Sequence, residues 1–144
     1  MKLSLKLEKE IKKAYSDLNE IGIISRIYIK LENNMVLDYP VFNDLVMRDM
    51  SEDDSLLMEE RIKVVIKINS LHLLAYTAQN TEFPCINKEM KKIIGGKVTW
   101  YWQDNVNAIL ERNEGAYCFG TTLSTVVKCC KVLENTIKEY IKHY

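Results

Sequence analysis

Leu3, Leu7, Ile11, Ala14, Tyr15, Leu18 and Ile21 recur at intervals of three and four, lysines and glutamates fill the positions between them, and Gly22 follows. That spacing predicts an amphipathic helix over residues 3–21 with a glycine stop. In the stretch 23–31, Ile24, Ile27, Tyr28 and Leu31 fall at i, i+3, i+4 and i+7. This reads as a second helix, although the β-branched content would also suit a strand. Asp38 followed by Pro40 has the form of a capped helix start, with Phe42, Leu45, Val46 and Met50 as its apolar stripe. The acidic cluster Ser51, Glu52, Asp53, Asp54, Ser55 can cap the element that follows.

That element is the organising feature of the pattern. From residue 59 to residue 79 no glycine or proline interrupts, and Ile62, Val64, Val65, Ile66, Ile68, Leu71, Leu73, Leu74, Ala75, Tyr76 and Ala78 cover most of a helical circumference. Only a narrow polar stripe through Lys63, Lys67 and Ser70 remains, as expected of a central helix with neighbours on several sides. A further helix is expected over 85–102, weakened at Gly95 and Gly96, then a helical turn over 105–110 closed by Asn113, Glu114 and Gly115. A last helix over 122–140 has Leu123, Val126, Val127, Cys130, Leu133, Ile137 and Ile141 on one side.

Composition supports an all-α reading. The chain has 144 residues, 47% of them hydrophobic, which suits one domain (1–144) with one core. Five glycines and two prolines leave few tight turns for a many-stranded sheet protein. Twenty basic residues balance twenty acidic ones, so no positive field exists to hold phosphate backbones, and nucleic acid is not an expected partner. The charged amino terminus does not resemble a secretory signal, and the apolar stretch 116–133 is interrupted by Lys128 and Lys131, so no membrane anchor is expected. Cys85, Cys118, Cys129 and Cys130 have no zinc-ligand spacing and read as free thiols in a reducing cytoplasm.

Candidate chemistry is sparse. No Gly-rich phosphate loop, paired-cysteine metal motif or Gly-flanked serine nucleophile is present. His72 reads as a hydrogen-bonded core residue, Trp100, Tyr101 and Trp102 as core wedges, and Cys118 as the best thiol for a minor enzymatic alternative. No catalytic residue, cofactor or metal is called for. The expectation is a binding protein that seats a partner helix in a furrow between helices, possible homodimerisation included.

Asn43, Asp44, Leu45, Val46, Met47, Arg48, Asp49, followed by Met58, Glu59, Glu60, Arg61, Ile62, Lys63, Val64, Val65, and later Trp102 to Glu111, resemble the motif order of the Bcl-two (B-cell lymphoma two) family of apoptosis regulators, particularly its divergent viral members. The resemblance spans about residues 40–111. It implies a helical bundle in the host cytoplasm, recruited to mitochondria by partners, that sequesters the amphipathic death-motif helix of pro-apoptotic proteins. Arg61 would pair with the partner's aspartate, Phe42, Leu45 and Val46 would form one wall, Val64 and Ile68 the floor, and Ile27, Tyr28 and Leu31 the opposite wall. The alternative is an adaptor of the same fold that blocks innate immune signalling through a surface patch.

Overall fold

In the computed structural model, which describes residues 4–143, the expected central helix is split in two: a strand over Val64–Asn69 and a short helix over Leu71–Thr77. Val64, Val65, Ile66 and Ile68 are β-branched and fit a pleated surface. Ser70 then takes an extended conformation, and its hydroxyl accepts the Leu73 N–H at 3.0 Å, capping the helix that begins at Leu71.

In chain order the elements are α1 (Leu5–Glu20), β1 (Ile24–Lys30), β2 (Met35–Val41), β3 (Asp44–Asp49), a 3-10 segment Glu52–Met58, β4 (Val64–Asn69), α2 (Leu71–Thr77), α3 (Lys88–Ile93), β5 (Ala108–Glu111), β6 (Gly115–Gly120) and α4 (Leu123–His143). The six strands form one antiparallel sheet in the order β3-β2-β1-β4-β6-β5. The all-α Bcl-two-like bundle is therefore replaced by a mixed α/β architecture.

The corrections share a cause. Residues 23–31 carry Ile23, Ile27, Ile29 and Leu31 on one side of an extended chain, residues 35–49 carry short apolar runs, and each segment finds hydrogen-bonding partners in the sheet rather than within itself. Pro40 does not start a helix; it lies in β2, where the register slips between Asp38 and Val41. Ser51 caps the acidic 3-10 segment through a reciprocal box with Asp54, so the acidic cluster forms an element of its own rather than capping a following helix. Of the helix expected over 85–102 only α3 forms, and Phe83 pairs with Val98 in an isolated bridge. The second half of the helical turn expected over 105–110 is strand β5 instead. Asn113 and Gly115 adopt φ of 63° and 104° in the hairpin turn to β6. A side chain at Gly115 would put a Cβ 2.2 Å from the Ile68 carbonyl oxygen, so this turn can lie against β4 only as glycine. The two surface helices agree with the periodicity: α1 from Leu5, with Leu3 outside the described residues, and α4 three residues past the expected end. No helix among the described residues is long and apolar enough to cross a membrane.

Cross-strand register divides the sheet into two faces. Ile27, Ile66 and Cys118 stand side by side on one face, fully buried beneath Ile11 and Leu18 of α1 and Val126, Cys130, Leu133 and Ile137 of α4. Each buried isoleucine or leucine there contributes roughly 1.5–3 kcal/mol. On the other face Tyr28, Val65 and Phe119 align in one row and Arg26, Lys67, Tyr117 and Ile109 in the next. This second face carries a smaller core of Val36, Leu57, Ile62, Val65 and Phe119. The 3-10 segment covers it only at one end.

Candidate active site

Beyond the end of that smaller core, the second face opens into a cavity of about 620 Å³. Its floor is made of alternate residues of neighbouring strands: Arg26 and Tyr28 of β1, Asp38 of β2, Lys67 of β4, Glu111 of β5 and Tyr117 of β6. Arg48 of β3 and the segment from Asp53 to Leu57 form a wall. A second cavity of about 510 Å³ adjoins it at Arg26 and Lys67, bounded by Tyr15, Pro40, Asn69, Asn113 and Glu114.

Two ion clusters organise the cleft. In the first, the Asp38 carboxylate is 2% exposed and is held by two guanidinium groups: Arg26 donates from Nε and Nη2 at 2.7 and 2.8 Å, and Arg48 from Nε at 3.1 Å. Arg48 uses Nη1 and Nη2 on Asp54 at 2.7 and 2.8 Å, and Asp54 also accepts the Ser51 N–H at 2.9 Å. The hydrogen bonds from Arg48 outweigh burial and hold the Asp54 carboxyl below the usual carboxylate range, while Asp54 holds the Arg48 guanidinium firmly protonated. Tyr28 lies beneath both guanidinium groups, its ring centre 5.5 Å from that of Arg26 and 6.0 Å from that of Arg48, and burial raises its phenol pKa.

The second cluster surrounds Lys67. Its Nζ is 3.5 Å from Glu114 Oε2, 3.8 Å from Glu111 Oε1 and 5.6 Å above the Tyr117 ring. Burial opposes its charge, but Tyr117, Glu111 and Glu114 outweigh it, and the ammonium titrates above the ordinary lysine value. The neighbouring Glu114, aided by burial, raises the Glu111 carboxyl, while Glu111 and Lys67 lower that of Glu114. Burial and the neighbouring Glu111 raise the Tyr117 phenol. A fixed cation therefore sits beside one carboxyl and one phenol whose protons are retained to higher pH than usual. Such a set can stabilise an oxyanion and exchange a proton with it.

Among the described residues no group of three or more His, Cys, Asp or Glu side chains converges to hold a metal ion. His72 Nδ1 meets the buried Glu134 at 2.9 Å, His143 sits near the end of α4 against Glu139, and neither lines the cleft. The carboxylates of Asp38, Asp54, Glu111 and Glu114 are engaged by arginine and lysine, a donor set that does not fit a resident metal. Cys118 is no better placed as a nucleophile. It is fully buried, and Cys130 and burial outweigh the opposing contact with Cys129, pushing the thiol well above its ordinary range.

The residues expected to form a peptide groove are not brought together. Ile27, Val64 and Ile68 are buried under the helices, with Leu31 and Leu45 packed against that core. Tyr28 and Val46 share a row on the opposite face, and Phe42 projects 97% exposed from the β2–β3 turn. Arg61 does not open a helix. It lies in the turn before β4, with its guanidinium 5.7 Å from the Trp102 ring. Trp102 stacks on Phe119 at 5.4 Å, and Trp100, Tyr101 and Trp102 are all exposed rather than core wedges. Sequence reading missed Arg26, Asp38, Arg48, Asp54, Lys67, Glu111 and Tyr117. The available signal was polar residues at every second position: Arg26, Tyr28, Lys30 on one segment and Lys67, Asn69 on another.

No protein-family model and no curated protein matches the chain. Solved structures do. An L-fuculose 1-phosphate aldolase superposes with a TM-score of 0.77 at 15% identity, covering 96% of this chain and 86% of that one. The L-fuculose-1-phosphate aldolase from Thermus thermophilus gives 0.76 at 12% identity, over 98% and 96%. YgbL from Escherichia coli, described as a candidate aldolase/epimerase/decarboxylase, gives 0.68 at 15% identity, over 92% and 87%. These likenesses overturn the Bcl-two resemblance. With it go the viral anti-apoptotic role, the capture of pro-apoptotic death-motif helices and the adaptor alternative, all of which presupposed a helical bundle. The expectation that the chain is not an enzyme rested on the lack of catalytic motifs in the sequence, and it is corrected by an architecture shared with structures named as aldolases. At these identities the likeness establishes architecture: the chain has the fold of the class II aldolases.

Proposed function

We propose that the cleft is an active site for chemistry next to a carbonyl group, serving aldol-type cleavage or epimerisation of a small hydroxy-carbonyl compound. The observation that carries this reading is the placement of Lys67 beside Glu111, Glu114 and Tyr117 in an open cavity. The names of the neighbouring folds, aldolase and aldolase/epimerase/decarboxylase, support the same class.

In the cleavage direction a carboxylate takes the proton of the substrate's β-hydroxyl. The bond between the α and β carbons breaks, and its electron pair moves onto the carbonyl oxygen as an enediolate beside the Lys67 ammonium. The carboxyl that has gained this proton, or the Tyr117 phenol, then returns a proton to the α carbon. In epimerisation the proton removed is the one on carbon. Either way the transient charge develops on oxygen next to a cation already in position, which is where preorganised electrostatics are worth most. Lys67 is held charged, so it acts as an electrostatic partner rather than as an amine nucleophile.

The test is proton exchange and cleavage by the purified protein in D2O, followed by NMR and mass spectrometry across a panel of hydroxy-aldehydes and hydroxy-ketones with and without phosphate. At least one compound should gain deuterium at the α carbon or be cleaved. Lys67→Met should reduce the rate about 100-fold, the scale of losing one oxyanion partner. Tyr117→Phe should reduce it less. No exchange or cleavage of any compound, or an unchanged rate in Lys67→Met, would remove the cleft from this role.

A further inference from the structure

Every cation in the cleft is already matched by a carboxylate of the chain. The geometry points to a site that selects unphosphorylated hydroxy-carbonyl compounds over their phosphate esters, a specificity that rests on the active-site reading above. Arg26 spends Nε and Nη2 on Asp38, and Arg48 spends Nε on Asp38 and both terminal nitrogens on Asp54. Lys67 lies between Glu111 and Glu114. A phosphate dianion could claim these groups only by leaving Asp38 and Asp54, whose side chains are 2% and 5% exposed, as buried carboxylates without counter-charge. Asp53 also lines the cavity, and no cation among the described residues pairs with it. The field that meets an entering ligand is therefore negative. A neutral polyol or carbonyl compound needs hydrogen-bonding groups and no charge, and Tyr28, Tyr117 and the carboxylates supply those.

Titration calorimetry on the wild-type protein with matched pairs tests this: L-fuculose against L-fuculose 1-phosphate, glyceraldehyde against glyceraldehyde 3-phosphate, and inorganic phosphate alone. In each pair that binds, the free compound should bind at least about tenfold more tightly, a difference of about 1.4 kcal/mol, and inorganic phosphate should not bind. Asp38→Asn frees the Arg26 guanidinium and the Nε of Arg48 and should create measurable phosphate binding. Asp53→Asn, at an exposed position, should reduce discrimination within a pair by about threefold and keeps the test open if Asp38→Asn does not fold. Tighter binding of the phosphate ester, phosphate binding to wild type, no gain in a folded Asp38→Asn, or unchanged discrimination in Asp53→Asn would overturn the specificity. Turnover of a phosphate ester in preference to its free form would do so while leaving the active-site reading intact. Failure of both members of every pair to bind would overturn both.

Discussion

The two faces of the sheet are built by alternate residues of the same strands, yet they have opposite characters. On one, Ile27, Ile66, Ile68 and Cys118 are sealed beneath α1 and α4 with essentially no solvent contact. On the other, Arg26, Tyr28, Lys67 and Tyr117 form the floor of an open cavity, and their charges are balanced within the chain. The same backbone register supports both, so the sealed face can supply stability while the open face carries groups that are costly to desolvate. Rigid strands also hold the floor side chains of the cleft in place.

That division can be broken from either side. The largest effect is expected on the sealed face, where Ile66→Ala removes a fully buried side chain between Ile27 and Cys118. A loss of about 4 kcal/mol in urea unfolding is expected, with cleft binding preserved in the folded fraction. Next comes Asp54→Asn at the cleft wall, expected to cost about 2 kcal/mol at pH 7 by weakening the hold on Arg48. Because the folded Asp54 pKa is depressed, its contribution is present above the ordinary value of 3.8 and fades as pH falls through the lower folded value. Wild type and Asp54→Asn should therefore converge in stability under strong acid, and a gap independent of pH would show that charge is not the cause. The smallest stability effect belongs to Lys67→Met, expected within about 0.5 kcal/mol of wild type because its ion pairs are partly exposed. A loss several times larger would make Lys67 a structural residue rather than a functional one.

These contrasts also explain what the sequence discloses. Helices α1 and α4 lie on the surface, so each has one apolar and one polar side and a clear period of three to four. β4 has no such contrast over its first half, since Val64, Val65 and Ile66 are buried on successive faces, and a continuous apolar run fits a buried helix as well as a central strand. Its β-branched residues and the capping serine at position 70 were the cues that favoured a strand followed by a short helix. The site was less legible still. Arg26, Asp38, Lys67, Glu111 and Tyr117 come from five strands, and only cross-strand register brings them into one cleft. In linear order Lys67 reads as one point on a polar helix stripe, and Glu111 and Tyr117 as unrelated loop neighbours. The local motifs that suggested a peptide groove lay across a sheet edge, a turn and the buried core, so their order did not correspond to proximity.

The most direct measurement of the open face as the ligand face is amide chemical-shift mapping by NMR during titration with a hydroxy-carbonyl compound that the protein processes. Shifts should concentrate on Arg26, Tyr28, Lys67, Glu111 and Tyr117 in wild type and be largely lost in Lys67→Met. Shifts centred instead on Arg61 and Phe42, or persisting unchanged in Lys67→Met, would contradict the assignment of the cleft.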